Sequence, residues 1–179
     1  MKRELFNFWC FLAALALVAS TAVHLAAMFG MNLIQANLVT MVMHLLVVIP
    51  FAVGLIYANR VAPDKKEWFK VSAFAPRWLK LLSVILLVYG LASYVPKLRE
   101  KGMTEKRGEN YVLVNKDEVI RPLTEQEYHQ RRVQTTRSLS ALWMFFASVG
   151  LTFLLAAERR REAEMPAQVA DSMERAGKP

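Results

Sequence analysis

The chain has little of what staples or charges a water-soluble domain. Its one cysteine, Cys10, cannot form an internal disulfide, which excludes a disulfide-stapled secreted scaffold. Charge is scarce where it matters most: from Leu5 to Asn59, 55 consecutive residues include no Asp, Glu, Lys or Arg. No soluble core needs such a run, and about 18 uncharged apolar residues already mark a membrane span. With a mean hydropathy of +0.24 over 179 residues, a soluble enzyme and a disordered tail are excluded too. What is there is a single small polytopic membrane domain.

A bilayer core of ~30 Å takes roughly 20 helical residues. The 55-residue run holds two such helices and a tight turn, placed at Phe29-Gly30-Met31-Asn32 because Gly and Asn can end a helix and admit the reversal. Span one is read as about 6–28 and span two as about 33–57. The run 81–96 is short, but Trp78 and Leu79 extend it and Lys80 can snorkel to the headgroups, giving span three as 78–94. Span four is 138–157. Trp9, Trp68, Trp78 and Trp143 lie near these ends, where an aromatic belt would put them. Pro50 removes one N–H from span two and predicts a kink. A cleaved signal peptide ending near Val18-Ala19-Ser20 is the rival reading, but the apolar stretch runs on to Met28, too long for an h-region.

The connections differ sharply in charge. The first turn has none, whereas the loop 58–77 carries Arg60, Lys65, Lys66, Lys70 and Arg77 against Asp64 and Glu67. Lys2 and Arg3 precede span one, and Arg159-Arg160-Arg161 follow span four. The positive-inside rule then puts both termini and the 58–77 loop in the cytoplasm, with the tail 158–179, and 96–137 outside. That outer segment is the discordant part, since it holds ten Lys/Arg against seven Asp/Glu. In the cytoplasmic loop, Asp64 is a cap for a short interfacial helix through Phe74, with an ordinary loop as the alternative.

Residues 96–110, with Gly102 and Gly108, read as a mobile lead-in. Tyr111–Val114 and Val119-Ile120 then flank a polar turn, which predicts a β-hairpin over 111–121, ended by Pro122. Thr124-Glu125-Gln126-Glu127 is a capping box, and no Pro or Gly follows until Gly150. The expected fold is therefore all-α: a bundle of four transmembrane helices, with a small outer hairpin and a long helix from 124 into span four. A lone hairpin is marginal in water, so Tyr111, Val112, Leu113, Val119 and Ile120 are the candidate partner-binding residues.

The order Tyr111-Val112-Leu113, Asn115, Val119-Ile120, Leu123-Thr124-Glu125, Glu127-Tyr128, then Arg137-Ser138-Leu139-Ser140-Ala141-Leu142-Trp143-Met144 at a membrane entry, resembles that of uncharacterised bacterial small integral membrane proteins. Those tend to have Gly-His where this chain has Ala141-Leu142. The resemblance covers about 35 residues and implies a bacterial inner membrane, without implying any chemistry.

Ionisable residues inside a membrane are the default functional candidates, and here they are two, His24 and His44. Ala13, Ala16, Ser20, His24 and Ala27 share one face of span one, and small residues on one face mark close helix packing. Ser148 and Thr152 belong to a similar stripe on span four, with Ala141 and Ala156. Bis-imidazole haem ligation would need both His at one depth, but counted from Gly30 they lie roughly 12 Å apart. A soft Cu(I) site from His24, Met28, Met41 and His44 meets the same mismatch. Neutral histidines bonding across helices is the plainer reading.

No acidic residue lies within a span, and no hydrolase elbow or metalloprotease motif occurs there. The leading expectation is a non-catalytic accessory, assembly or interaction factor without a cofactor. It would act through its periplasmic hairpin on a membrane or periplasmic protein or on a second copy, not on nucleic acid. The alternatives are a haem- or copper-handling protein using His24 and His44, and a small oligomeric channel or transporter lined by Ser20, Thr40, Ser148 and Thr152.

Overall fold

The computed structural model describes residues 1–33, 37–62, 68–99, 102–116 and 118–176. In chain order the elements are α1 (Arg3–Met28), α2 (Asn37–Val61), α3 (Trp68–Ala73), α4 (Arg77–Arg99), β1 (Met103–Arg107), β2 (Asn110–Asn115), β3 (Glu118–Leu123) and α5 (Glu125–Ala176). Among the described residues, four helices are long and apolar enough to cross a membrane: α1, α2, α4 and α5.

The first turn follows from glycine. At the end of α1, Gly30 adopts φ +82°, its N–H bonds the Ala27 carbonyl at 3.1 Å, and the Met31 N–H bonds that of Ala26 at 3.0 Å. This pair of bonds is the Schellman closure, which needs a left-handed residue after the helix and selects Gly there. The second apolar helix is shifted from its expected position, running from Asn37 to Val61. Leu33 is still in the turn and 34–36 lie outside the described residues. At its far end nothing breaks the helix before Pro63, and the Ala62 N–H still bonds the Ala58 carbonyl. The helix runs unbroken through the fully buried Pro50.

The loop helix α3 is short. Asp64, its expected cap, and Lys65 to Glu67 lie outside the described residues. It stops at Ala73, short of Pro76, whose ring disfavours helical backbone in the residue before it.

The 96–110 segment is not the lead-in that composition suggested. α4 continues to Arg99, and β1 follows, turning back through Gly108 at φ +62°. The sheet has three antiparallel strands in the order β1-β2-β3, not two. β1 carries Glu105, Lys106 and Arg107 and shows no apolar alternation. An edge strand with charged side chains needs none, which hid it. Pro122 does not end β3, which runs on to Leu123 opposite Tyr111. β3 is the other edge strand, where a missing N–H is tolerated. Asp117, in the turn, lies outside the described residues.

α5 is the spine. At about 1.5 Å per residue its 52 residues span roughly 78 Å. α1, α2, α3 and α4 all pack on it. The result is a central helix with others laid against it, rather than a symmetric bundle. It meets α2 backbone to backbone at glycine: a Cβ on Gly54 would sit 2.7 Å from the Gly150 carbonyl oxygen, and one on Gly150 2.9 Å from the Phe51 Cα. The α1 face against the other helices consists of Ala13, Ala16, Ser20, Val23, His24 and Ala27, all buried.

The sheet is mounted on the start of α5. The Glu127 N–H bonds Thr124 Oγ1 at 3.2 Å, and the Thr124 N–H bonds Glu127 Oε2 at 2.9 Å, closing the capping box. Arg121 of β3 pairs with Glu127 at 3.1 Å, and Tyr111 of β2 stacks on Tyr128 with ring centroids 4.6 Å apart. The Thr124 N–H, with Arg121 adding to it, holds the Glu127 carboxyl below its ordinary value of 4.5. Because the folded state has the lower pKa, this support is complete above pH 4.5 and is lost as pH falls through the depressed value. The near-ultraviolet circular dichroism of the tyrosine stack should therefore decay on acidification in the native chain. In Glu127→Gln that decay should be blunted; an identical acid response would assign it to other carboxylates.

Candidate functional site

The polar groups of the apolar layer gather along α5, at positions where hydroxyl residues recur every fourth place. Thr136, Ser140, Ser148 and Thr152 share this stride, with Met144 filling the missing step. Each hydroxyl also bonds a carbonyl of its own helix, so none is stranded in an apolar medium.

Nearest the sheet, Thr136 donates to the Asn32 side-chain oxygen at 3.0 Å, and Ser138 donates to the Ser93 carbonyl at 2.8 Å. Arg137 donates from Nε to the Ala27 carbonyl at 3.0 Å and from Nη2 to that of Met28 at 3.2 Å. A guanidinium on the last carbonyls of α1 satisfies bare acceptors and opposes the negative end of the helix dipole.

One turn deeper lies His24, buried between three helices. Its Nδ1 is 3.0 Å from Ser140 Oγ, and its Nε2 is 2.7 Å from the Tyr89 hydroxyl. Ser140 directs its own proton to the Thr136 carbonyl at 2.7 Å. Its lone pair therefore accepts from Nδ1–H, and Nε2 accepts from the Tyr89 O–H, which assigns the tautomer. In this arrangement Ser140 is not activated as a nucleophile, since its proton points away from the imidazole. The chemistry available is a three-helix hydrogen-bonded clasp joining α1, α4 and α5.

Further along, Ser83 of α4 meets Ser148 Oγ at 3.1 Å and Thr152 Oγ1 at 3.3 Å. At the opposite end from the sheet, buried Glu158 accepts from the Tyr57 hydroxyl and, at 2.6 Å, from Arg161 Nη2. Arg161 Nη1 reaches the Met1 carbonyl at 3.1 Å. A buried carboxylate is tolerable only with such partners. This site escaped the sequence because Glu158 follows immediately after the apolar run and reads as tail.

His44 has a different setting. It is exposed on α2, with Nδ1 bonded to the Thr40 carbonyl at 2.7 Å and its ring edge-on to Trp143. Met28 and Met41 are 56% and 54% exposed, so they do not converge on His24. The two histidines thus have separate partners, and both nitrogens of His24 are engaged. Among the described residues no three His, Cys, Asp or Glu stand close enough to share a metal ion. Of the residues considered for a polar lining, Ser148 and Thr152 meet Ser83, whereas Ser20 bonds back to the Ala16 carbonyl. Thr40 offers its carbonyl to His44.

The candidate partner-binding residues divide as well. Val112 and Leu113, on the central strand, are buried, and Tyr111 is held by Tyr128. Val119 and Ile120 are exposed, each 49%, and Met103 is exposed at 78%. Met103, Val114 and Val119 lie directly opposite one another across the three strands, forming one apolar row. Met103 was missed because its strand was read as a lead-in.

No protein-family model matches the chain, and no curated protein or solved structure does.

Interhelical hydrogen bonds in membranes contribute about 0.6 kcal/mol on average and at most about 2 kcal/mol. Tyr89→Phe should therefore lower stability in a detergent unfolding titration by an amount in that range, with Ser140→Ala at least equal because it strands the His24 Nδ1–H. Two variants as stable as the native chain would remove the clasp from the account.

Proposed function

We propose that the chain is an integral membrane protein of the bacterial inner membrane, and that it works as a non-catalytic interaction or assembly factor through its three-stranded sheet. The observation that carries this reading is the apolar row Met103–Val114–Val119, presented on a sheet fixed to α5 by the capping box, the tyrosine stack and the Arg121–Glu127 pair. A surface held so firmly and left apolar is suited to meeting another protein.

The membrane placement rests on the outward faces of the helices. Phe11, Val18, Leu38, Leu81 and Val88 are all exposed, an inversion of the water-soluble pattern that lipid would cover. With both termini and the α2–α4 connection cytoplasmic, the sheet is periplasmic. The Arg161–Met1 bond supports putting the start of α1 and the far end of the α5 span on one side.

Replacing Met103, Val114 and Val119 together by Thr keeps β-propensity and removes the apolar row. The variant should insert normally and leave the bundle's unfolding midpoint unchanged, yet fail to restore whatever phenotype deletion of the gene produces. Full complementation would move the function into the bundle. Cysteine labelling should reach position 110 from the periplasm and position 60 from the cytoplasm, and a cytoplasmic position 110 would reverse the orientation.

A further inference from the structure

Of the two histidines in the apolar layer, His44 is the one that the fold leaves open. It stands seven residues into α2, about 10 Å along the helix from Asn37. A carbonyl only accepts, so the 2.7 Å bond between Nδ1 and the Thr40 carbonyl puts the proton of the neutral ring on Nδ1 and its lone pair on Nε2. Nothing among the described residues donates to Nε2. Trp143, its ring centroid 5.2 Å away and its plane near perpendicular, does not: its own Nε1–H is buried without a partner.

An imidazole with one N–H tied to a carbonyl and the other nitrogen bare is the form in which histidine binds metal, because the outer bond fixes the tautomer and the ring's direction. His24 lacks this form, since both its nitrogens are engaged. Along α2, Met41 precedes His44 by three residues and Val48 follows it by four, a spacing that makes them neighbours on the helix surface. All three are exposed, Met41 at 54%. A thioether and an imidazole are neutral, soft donors suited to Cu(I). One chain supplies only this pair: α2 carries no Cys, Asp, Glu or second His, and its other methionine, Met43, is buried.

Symmetry can supply the other half. His24 and His44 of one chain cannot share an ion because they lie at different depths and have separate partners. Two copies of His44 related by a two-fold axis along the membrane normal necessarily share one depth. Their Nε2 atoms both accept, so across such an axis they need a cation between them. The Met41–His44–Val48 strip is also free of the rest of this chain. α2 packs on α1, α3 and α5 by its other side, where Met43, Val47, Pro50 and Gly54 are buried.

We infer that Met41 and His44 of two copies hold one Cu(I) ion between their α2 helices, through two imidazole nitrogens and two thioether sulfurs. A monovalent ion among neutral donors brings a single charge into the apolar layer, where a divalent ion would bring two. The inference rests on the membrane placement proposed above but not on the sheet's role as an interaction surface.

The test loads the full chain in detergent with Cu(I) under reductant, or with Ag(I) as its redox-inert substitute, and reads metal content and native mass. The native chain should hold one ion per two chains, as a dimer that a Cu(I) chelator returns to monomer. X-ray absorption should show both nitrogen and sulfur neighbours. His44→Gln should lose the ion and the dimer. Met41→Leu conserves volume at an exposed position, so it should fold normally yet weaken Cu(I) about tenfold or more and remove the sulfur neighbours. Cys10→Ser, which removes the chain's one thiol, should bind as the native chain does. The inference is overturned by one ion per monomeric chain, by native binding in Met41→Leu, by loss of the ion in Cys10→Ser, or by a dimer that persists without metal. Zn(II) held as tightly as Cu(I) would also overturn it, since thioether sulfur does not select zinc. Recovery of the chain without detergent would instead fail the membrane placement itself.

Discussion

Everything in this fold depends on how closely other helices can approach α5. Where Gly54 meets Gly150, the α2 and α5 backbones touch, and a single added methyl would push them apart. On the α1 side Ala13, Ala16 and Ser20 do the same work with small side chains. In the membrane placement proposed above, the hydrophobic effect does not drive helices together, so backbone proximity and interhelical bonds must hold them. Small residues bring the helices near enough for short side chains to reach across. The His24 clasp and the Ser83–Ser148–Thr152 cluster therefore follow from the small-residue faces rather than adding to them.

The same close contact bears on a conducting role. With α2 and α5 in backbone contact at Gly54–Gly150, no water-filled path passes between them at that level. The hydroxyls of α5 are turned to their own helix carbonyls or to a neighbouring helix, as polar groups must be in an apolar layer. A stripe of Ser and Thr looks identical in sequence whether it lines water or joins helices. Only the partners separate the two.

That distinction explains what was legible. The 55-residue gap in charge specified two helices and a turn, and the Gly30 closure followed from local chemistry. The capping box specified the start of α5 to the residue. Such features are carried by neighbours in sequence. β1 was illegible because a charged edge strand is recognised only by what pairs with it, and Met103 pairs with Val114. Tyr89 and Glu158 were missed for a related reason: their partners are 65 and 101 residues away. Of the small residues on α1 and α5, position alone sufficed to find a face, since period and size are local properties; what the face meets is not.

The excess positive charge of 96–137 looks different once its residues have partners. Arg137 sits on the bare carbonyls of α1, where its charge opposes the helix dipole instead of standing free. Arg121 is paired with Glu127 and Arg107 with Glu105. The positive-inside rule counts charge as though it were all solvent-facing and equivalent. In a segment that folds into a sheet and a capped helix, several of the ten cations already have local anionic or dipolar partners. Their number therefore says less about which side of a membrane the segment occupies than the unpaired lysines and arginines of an unstructured loop would.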